Sequence, residues 1–570
     1  MAIIIYMEIM TDRLELLQSR TALFRWVRLL ILTLSVIIVS LPSAFAARRE
    51  RLIDSWKPIN YDITLAFNDQ LTEIANARVA ITVQAIKDVS VIDLDFGDLT
   101  VDSVTVDGTA TPFSRAPGLL NVKLATPLAR ETRAVVLVTY HGAPKDGLVL
   151  SKDKAGKPSA IGDNWPDRVH HWIPCFDHPS AKATVNFTVT APTRKLVVAN
   201  GRLAQVENSS PSNRTWSYTE AAPIPPYCMI VAIGEFAEIK MADAPITPLA
   251  YYVPQPDKAY AVSGFAAANP SLKFFRETIA AYPYEKLALI VGATRFGGME
   301  NSSAIVFPNR LLDSNVAGPI SNVFKVRQGL VEVVAHEIAH QWFGDSVTEA
   351  TWSDLWLSEG FATYFAGLMV QRYEGEGRFN DYMQRAADTY FNFEKKLRIP
   401  IHDTETEEVF MLLNANNYQK GAWVLHMLRA ELGDENFFRG IRNYYDAHRG
   451  SVASTEDLRV ALEKVSGKNL NEFFTRWVYG TGHPRYELSW NWNVRSKRLQ
   501  LVLDQTQPEA AFPNAVTVRI VNGNSKRTVV IEPKSKHAVE EIKLDSAPTS
   551  LVVDPENVIL DDSRVTRKDY

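Results

Sequence analysis

A chain of 570 residues, 46% hydrophobic and 22% charged, has the composition of a folded globular protein and is too long for one ordinary domain. A formal net charge of −4 with no clustered basic stripe excludes nucleic acid as a partner. Two cysteines, Cys175 and Cys228, exclude a disulfide framework and CxxC zinc spacing; they read as two small buried hydrophobes, with a single bridge open to them outside the cytoplasm.

Arg20, Arg25 and Arg28 precede an apolar run from Leu29 to Leu41, and Pro42-Ser43-Ala44-Phe45-Ala46 ends it in a small-residue cleavage pattern. This is the order of a secretory signal peptide. The run is shorter than the roughly 20 residues of a membrane span, and no stop-transfer pattern follows. Residues 1–46 are therefore expected to be cleaved, with the mature chain starting near Ala47 and secreted or periplasmic. Membrane attachment is expected only if the segment stays uncleaved. The stretch before Arg20 is long for such a signal, which places the expected start at Met7 or Met10.

From 47 to 246 the pattern predicts strands. Val79, Ile81 and Val83 alternate with small or polar residues, Val101, Val104 and Val106 follow, and Val135–Val138 lies between the turn signals Asp107-Gly108 and His141-Gly142-Ala143-Pro144. This spacing predicts a large β-sandwich domain. From 247 to 484 helical periodicity takes over, at Leu272–Ala281, Val323–Phe343, Leu355–Arg372, Gly421–Leu432 and Thr455–Val465. From 485 to 570 alternation returns in Tyr486-Leu488-Trp490-Trp492, Leu499-Leu501-Leu503 and Val516-Val518-Ile520, a small β-sandwich. The expected class is a multidomain α+β protein.

Within the helical region stands His336-Glu337-Ile338-Ala339-His340. On a helix, residues i and i+4 share a face, so both imidazoles reach one ion. Ile338, Ala339, Trp342 and Phe343 make this helix largely apolar, and buried charges need partners or a metal. Gly344-Asp345 ends the helix. A second helix through Trp356-Leu357-Ser358-Glu359-Gly360-Phe361 can return antiparallel and bring Glu359 as third ligand, leaving a fourth position of one zinc ion for water. Glu337 projects differently around the helix and suits the general base that takes a proton from that water and passes it to a leaving amine. Asp354 is a candidate carboxylate partner for a metal-bound histidine. His170, His171 and His178 read as structural.

The stretch HEIAHQWFGDSVTEATWSDLWLSEGFATYF from His336 resembles the metal signature of the M1 zinc aminopeptidases, the gluzincin group of aminopeptidase N and leukotriene A4 hydrolase. Gly297-Gly298-Met299-Glu300-Asn301 matches the family's G-x-M-E-N motif, and Tyr418-Gln419-Lys420-Gly421-Ala422, WIPCFDHPSAKATVNFTV from Trp172 and VVDPENVILDD from Val552 match further blocks. The resemblance implies a saddle-like N-terminal β-sandwich, a thermolysin-like catalytic domain and a C-terminal β-sandwich. It implies His336, His340 and Glu359 on zinc, Glu337 as base, Tyr418 donating to the oxyanion, and peptides with a free N-terminus as partners. It implies that Glu300 holds the substrate amine, that Gly297 and Gly298 admit the peptide backbone, that Met299 lines the pocket for the first side chain, and that Asn301 completes the substrate-binding motif.

Two departures stand out. The family carries a Gln or Glu shortly before its P-C-F-D block as a second hold on the amine, whereas Ile161-Gly162-Asp163-Asn164-Trp165-Pro166-Asp167-Arg168 has neither. Asp163 and Asn164 are the shorter candidates to replace it. The chain also stops after the small β-sandwich, without the large C-terminal helical domain of many relatives, so a more open pocket is expected. Of the competing readings, a silent peptide-binding scaffold of the same fold predicts a lost ligand or base, and none is lost. A zinc hydrolase of a non-peptide bond, such as an epoxide, shares the metal residues. A thermolysin-like endopeptidase shares them too but has no use for Gly-Gly-Met-Glu-Asn.

Overall fold

The computed structural model describes residues 48, 50–312 and 328–568. The predicted signal segment lies outside the described residues. Of two compact units, the described residues of the smaller are Arg48 and Thr404–Glu407. Within it the Arg48 N–H donates to the Thr404 carbonyl at 3.0 Å, and Arg48 Nη1 to the Thr406 carbonyl at 3.1 Å. The larger unit, Glu50–Asp403 with Glu408–Tyr570, holds all that follows.

It begins with an eight-stranded sheet. Strand Trp56–Phe67 pairs antiparallel with Ile74–Ala85 and parallel with Ala183–Pro192, in the register Ile63 to Val79 and Ile63 to Phe187. The alternation of Val79, Ile81 and Val83 arises because one face is packed: all three are fully buried, with Ile92, Leu94, Leu120 and Val122 of a three-stranded sheet in the same core. A further four-stranded sheet runs from Leu148–Lys152 through Pro158–Gly162 and Val231–Gly234 to Leu196–Ala199.

A sheet that the periodicity does not announce spans the boundary into the helical region. Strands Phe236–Lys240, Leu249–Pro254, Leu287–Gly292 and Ala304–Pro308 form it, the last two pairs parallel. Leu287–Gly292 and Ala304–Pro308 are buried at every position. A strand covered on both faces has no polar face to alternate with.

Helices follow at Ala268–Thr278, Gln328–His340, Trp356–Glu374, Glu376–Glu394, Gly421–His448, Thr455–Ser466 and Asn471–Trp477. Gly421–His448 kinks at Gly433, next to the predicted end at Leu432. Thr455–Ser466 starts in a capping box of Ser454 with Asp457 and ends on the left-handed Gly467. Trp356–Glu374 is buried at every residue from Trp356 to Val370, so it runs through the centre of its domain rather than along a surface.

Past Arg485 a four-stranded and a three-stranded sheet close over Leu488, Leu501, Val518 and Ile520, all buried. Lys182, at the start of strand Ala183–Pro192, donates to the carbonyls of Asp345 and Ser346 at 2.7 Å and to Thr348 Oγ1 at 2.8 Å, tying the first β region to the exit of helix Gln328–His340. Both cysteines are buried and free, and the Cys228 thiol donates to Asp345 Oδ1 at 3.3 Å. Among the described residues no helix is long and apolar enough to cross a membrane.

Glu349, in strand Val347–Glu349 beside Ser451–Ala453, is 1% exposed, and neither carboxylate oxygen has a hydrogen-bond partner among the described residues. Burial pushes its carboxyl from 4.5 up to about 8. The folded state therefore holds a proton that the unfolded chain releases, and stability falls as pH rises from the ordinary carboxylate value through about 8. Glu349→Gln should raise the melting temperature above pH 8 and change it little at pH 4, read from melting curves at both; an equal shift at both values would count against this origin.

Candidate active site

The convergence of the two histidines follows from helix geometry. His336 and His340 lie one turn apart on Gln328–His340, with His336 Nε2 3.0 Å from His340 Nε2. The return helix Trp356–Glu374 brings Glu359 against them, Oε2 lying 3.2 Å from His336 Nε2 and 3.4 Å from His340 Nε2. Glu359 sits in the first turn, where the helix dipole favours a carboxylate. Burial opposes its charge, but the histidines around it outweigh burial and hold it well below the usual carboxylate range. His340 Nδ1 lies 3.1 Å from the Phe343 carbonyl, which can only accept, so Nδ1 donates to it and the ring turns Nε2 toward Glu359 and His336. Ser358 Oγ is 3.0 Å from the same nitrogen.

Asp354 does not take that orienting role. Its Oδ1 accepts from the Thr455 N–H at 3.0 Å and hydroxyl at 2.7 Å and faces His402, so it holds the start of helix Thr455–Ser466. His170 pairs with Asp177 at 2.9 Å and His178 with Glu50 at 3.1 Å. Among the described residues, His336, His340 and Glu359 are the group whose donor atoms can share one ion, all within 4.8 Å of one another.

A cavity of about 420 Å³ opens over these three, and Gly297, Gly298, Met299, Glu300, Glu337 and Tyr418 also line it. Glu337 leaves the same helix as the histidines yet stays out of the metal group. Burial pushes its carboxyl well above the usual range; His340 opposes this, while Glu300 and Glu359 add to it. Glu300 is likewise pushed up to about 7, chiefly by burial. Gly298 is required by a close approach: a Cβ there would lie 2.2 Å from Glu337 Cδ, whereas one on Gly297 would meet nothing within 4 Å.

Asn301 stands apart from its motif. It does not line the cavity; it is fully buried, and its Nδ2 donates to the Met299 carbonyl at 3.3 Å, inside the turn that returns the chain to strand Ala304–Pro308. Gln341 holds this turn. Its Nε2 donates to the Glu300 carbonyl and to Asp345 Oδ2, and its Oε1 accepts from the Ser303 N–H, each at 2.8 Å. The residue after His340 thus fixes Glu300 relative to the metal helix. Nothing in the sequence pattern singles it out except its place beside the pentapeptide. Gln341→Leu removes these three bonds and a fourth, accepted from the Tyr282 hydroxyl at 3.1 Å; where Glu300 holds a substrate amine, it should raise KM and cost about 10–100-fold in kcat/KM, and an unaltered KM would remove this role.

Tyr418 lies in a π-helical turn, Asn416–Lys420, anchored by Asn416 Nδ2 on the Ile399 carbonyl at 2.8 Å and Asn417 Nδ2 on the Leu412 carbonyl at 2.7 Å. Its hydroxyl donates to Glu359 Oε1 at 2.7 Å, and its ring stacks on His336. The turn can come this close because helix Trp356–Glu374 and the start of Gly421–His448 cross at two glycines. A Cβ on Gly421 would sit 3.0 Å from the Gly360 Cα.

Asp163 and Asn164 are not free to hold an amine. Asp163 is fully buried, bound by Arg168 at 3.0 Å, Arg295 at 3.3 Å and the Thr294 hydroxyl at 2.7 Å. Asn164 accepts from Trp172 Nε1 at 2.8 Å and donates to the Met229 carbonyl at 2.5 Å. Neither lines the cavity; the next residue, Trp165, does. Trp165, Phe296 and Leu413 are wall residues that no motif indicated.

The description "Peptidase family M1 domain" matches residues 264–477, and "Peptidase M1 N-terminal domain" matches residues 57–228. The chain belongs to peptidase family M1. The first match holds the metal helix, the return helix, the Gly-Gly-Met-Glu-Asn segment and Tyr418; the second holds the Pro-Cys-Phe-Asp block. Similar proteins include a "Probable aminopeptidase 1" of Saccharolobus solfataricus, 28% identical over 69% of this chain and 50% of that protein. A "Leucyl aminopeptidase" of the same organism is 28% identical over 77% of this chain and 55% of its own length. A "Glutamyl aminopeptidase" of Rattus norvegicus is 26% identical over 84% of this chain and 53% of its own. The chain spans about half the length of the curated relatives it matches.

Proposed function

We propose that the chain is a zinc aminopeptidase that removes the first residue of peptides with a free N-terminus. The observation that carries this is the placing of Glu300 on the wall of the cavity that also holds His336, His340, Glu359, Glu337 and Tyr418. A carboxylate at a fixed distance from the reacting carbonyl binds an ammonium group and so admits one residue before the scissile bond.

The donor set fits zinc. Ligands at about 2.0–2.1 Å in a tetrahedron stand about 3.3 Å apart, against 3.0, 3.2 and 3.4 Å here. When bound, zinc supplies a Lewis acid and lowers the pKa of the attacking water. Glu337 takes the proton of that water as it attacks and delivers it to the departing amine. The Tyr418 hydroxyl turns from Glu359 to the oxygen on which negative charge develops. Glu300 keeps the ammonium in place throughout.

The test is a set of aminoacyl-anilides, free and N-acetylated, with and without chelator. Free anilides should be cleaved at least about 100-fold faster than acetylated ones, and chelator should abolish turnover until zinc is restored. Equal cleavage of acetylated substrates would remove the exopeptidase reading, and activity after full metal removal the zinc reading. Export through the signal-like segment 1–46 is proposed alongside, supported by its charged, apolar, small-residue order; N-terminal sequencing of the exported protein should begin near Ala47.

A further inference from the structure

We propose that this chain prefers a large apolar first residue, aromatic above all, and that Trp165, Phe296, Met299 and Leu413 form the wall that receives it. This rests on the aminopeptidase reading above. The first side chain leaves the carbon that carries the amine, so with the amine on Glu300 it must land within a few bonds of that carboxylate. Phe296 and Met299 belong to the same chain segment as Glu300, and Trp165 and Leu413 line the same cavity. The wall is aromatic in depth. Trp165 meets Phe296 edge to face at 6.1 Å and Phe410 at 5.6 Å, and Phe296 stacks on Phe410 at 6.2 Å. A ring from the substrate adds to such a cluster by the same edge-to-face and offset contacts.

Among the described residues, the wall formed by Trp165, Phe296, Met299 and Leu413 carries no ionic side chain. Asp146 and Asp163 take up both Arg168 and Arg295, in contacts of 2.6–3.3 Å, and the two guanidiniums lie over the Phe410 ring at 5.7 and 5.9 Å. Two carboxylates and two guanidiniums cancel, so this lattice buttresses the aromatic wall and leaves no net charge to pair with an acidic or basic side chain. Of the described cavity-lining residues outside Glu300, Glu337, His336, His340 and Glu359, Glu332 alone is ionic, and Arg385 pairs with it at 2.7 Å. The chain segment in which the family keeps a second amine anchor here builds the wall instead.

The zinc-loaded chain should be assayed on Phe-, Leu-, Ala-, Glu- and Arg-anilides. The expected kcat/KM for Phe exceeds that for Ala, Glu and Arg by at least about tenfold. Phe296→Ala, at a half-buried loop position, should lower the Phe-to-Ala ratio at least about threefold with bound zinc unchanged, and Trp165→Leu should do the same if it folds. A panel in which Glu or Arg equals Phe, or a Phe296→Ala ratio equal to wild type, overturns the preference while leaving the aminopeptidase reading intact. Failure to cleave any free anilide overturns that reading, and the preference with it.

Discussion

On the proposed zinc mechanism, Glu337→Gln should bind as much zinc as the wild-type chain and lose about 10²–10⁴-fold in kcat. The amide keeps the size of the carboxylate and one of its acceptor oxygens, but cannot accept the proton of the attacking water. The side chain is outside the group of donor atoms that can share an ion, so the ligand set survives the change. It is also buried, and the replacement is isosteric, so its surroundings stay in place. Metal content by elemental assay, beside kcat on a cleavable anilide, separates the two effects. A variant with zinc bound and kcat within threefold of wild type would show that the proton goes elsewhere.

Gly298→Ala should be almost as damaging, from a residue with no chemistry of its own. The added carbon would lie 2.2 Å from Glu337 Cδ. One of the two must move, and a shift of about 1 Å in a catalytic group costs about 100-fold. The loss should fall on kcat, because the nearest contacts of the added carbon are all atoms of Glu337, the proposed base. Gly297→Ala is the internal comparison. Its Cβ would enter open space on the cavity wall, where a bound peptide would meet it, so its effect should fall on KM. If both variants change the same constant, the steric assignment of Gly298 is wrong.

Much of the site was legible because it is local. The pentapeptide puts two histidines on one helical face whatever surrounds it, and the spacing to Glu359 allows one return helix. What resisted reading is made by contacts distant in sequence. Gln341 acts through the turn at Glu300–Ser303, Asp354 is claimed by Thr455, and Asp163 is claimed by Arg168 and Arg295. A sequence shows that a carboxylate is present, not which cation reaches it first. Asn301 illustrates the same limit within a motif: its neighbours face the cavity and it holds the turn behind them. In the fold, alternation announced the half-covered strands around Val79 and Leu501, but Leu287–Gly292 and Ala304–Pro308 are covered on both sides and gave no period. Helix Glu376–Glu394 went unassigned although the chain around it was read as helical.

The crossing of Gly360 and Gly421 bears on how the cavity moves. There the two helices touch backbone to backbone, and backbone atoms have no rotamers with which to absorb a displacement. Tyr418 and Glu359 therefore ride on a joint without play, and their wall should behave as one rigid block through the catalytic cycle. Any breathing that admits a peptide and lets the product go is expected at the part of the lining around Phe296 and the open Gly297, which sits on a loop rather than in a helix. Hydrogen exchange would resolve this as slow amides around Gly360 and Gly421 and fast ones around Arg295–Gly298, with peptide binding quieting only the second set.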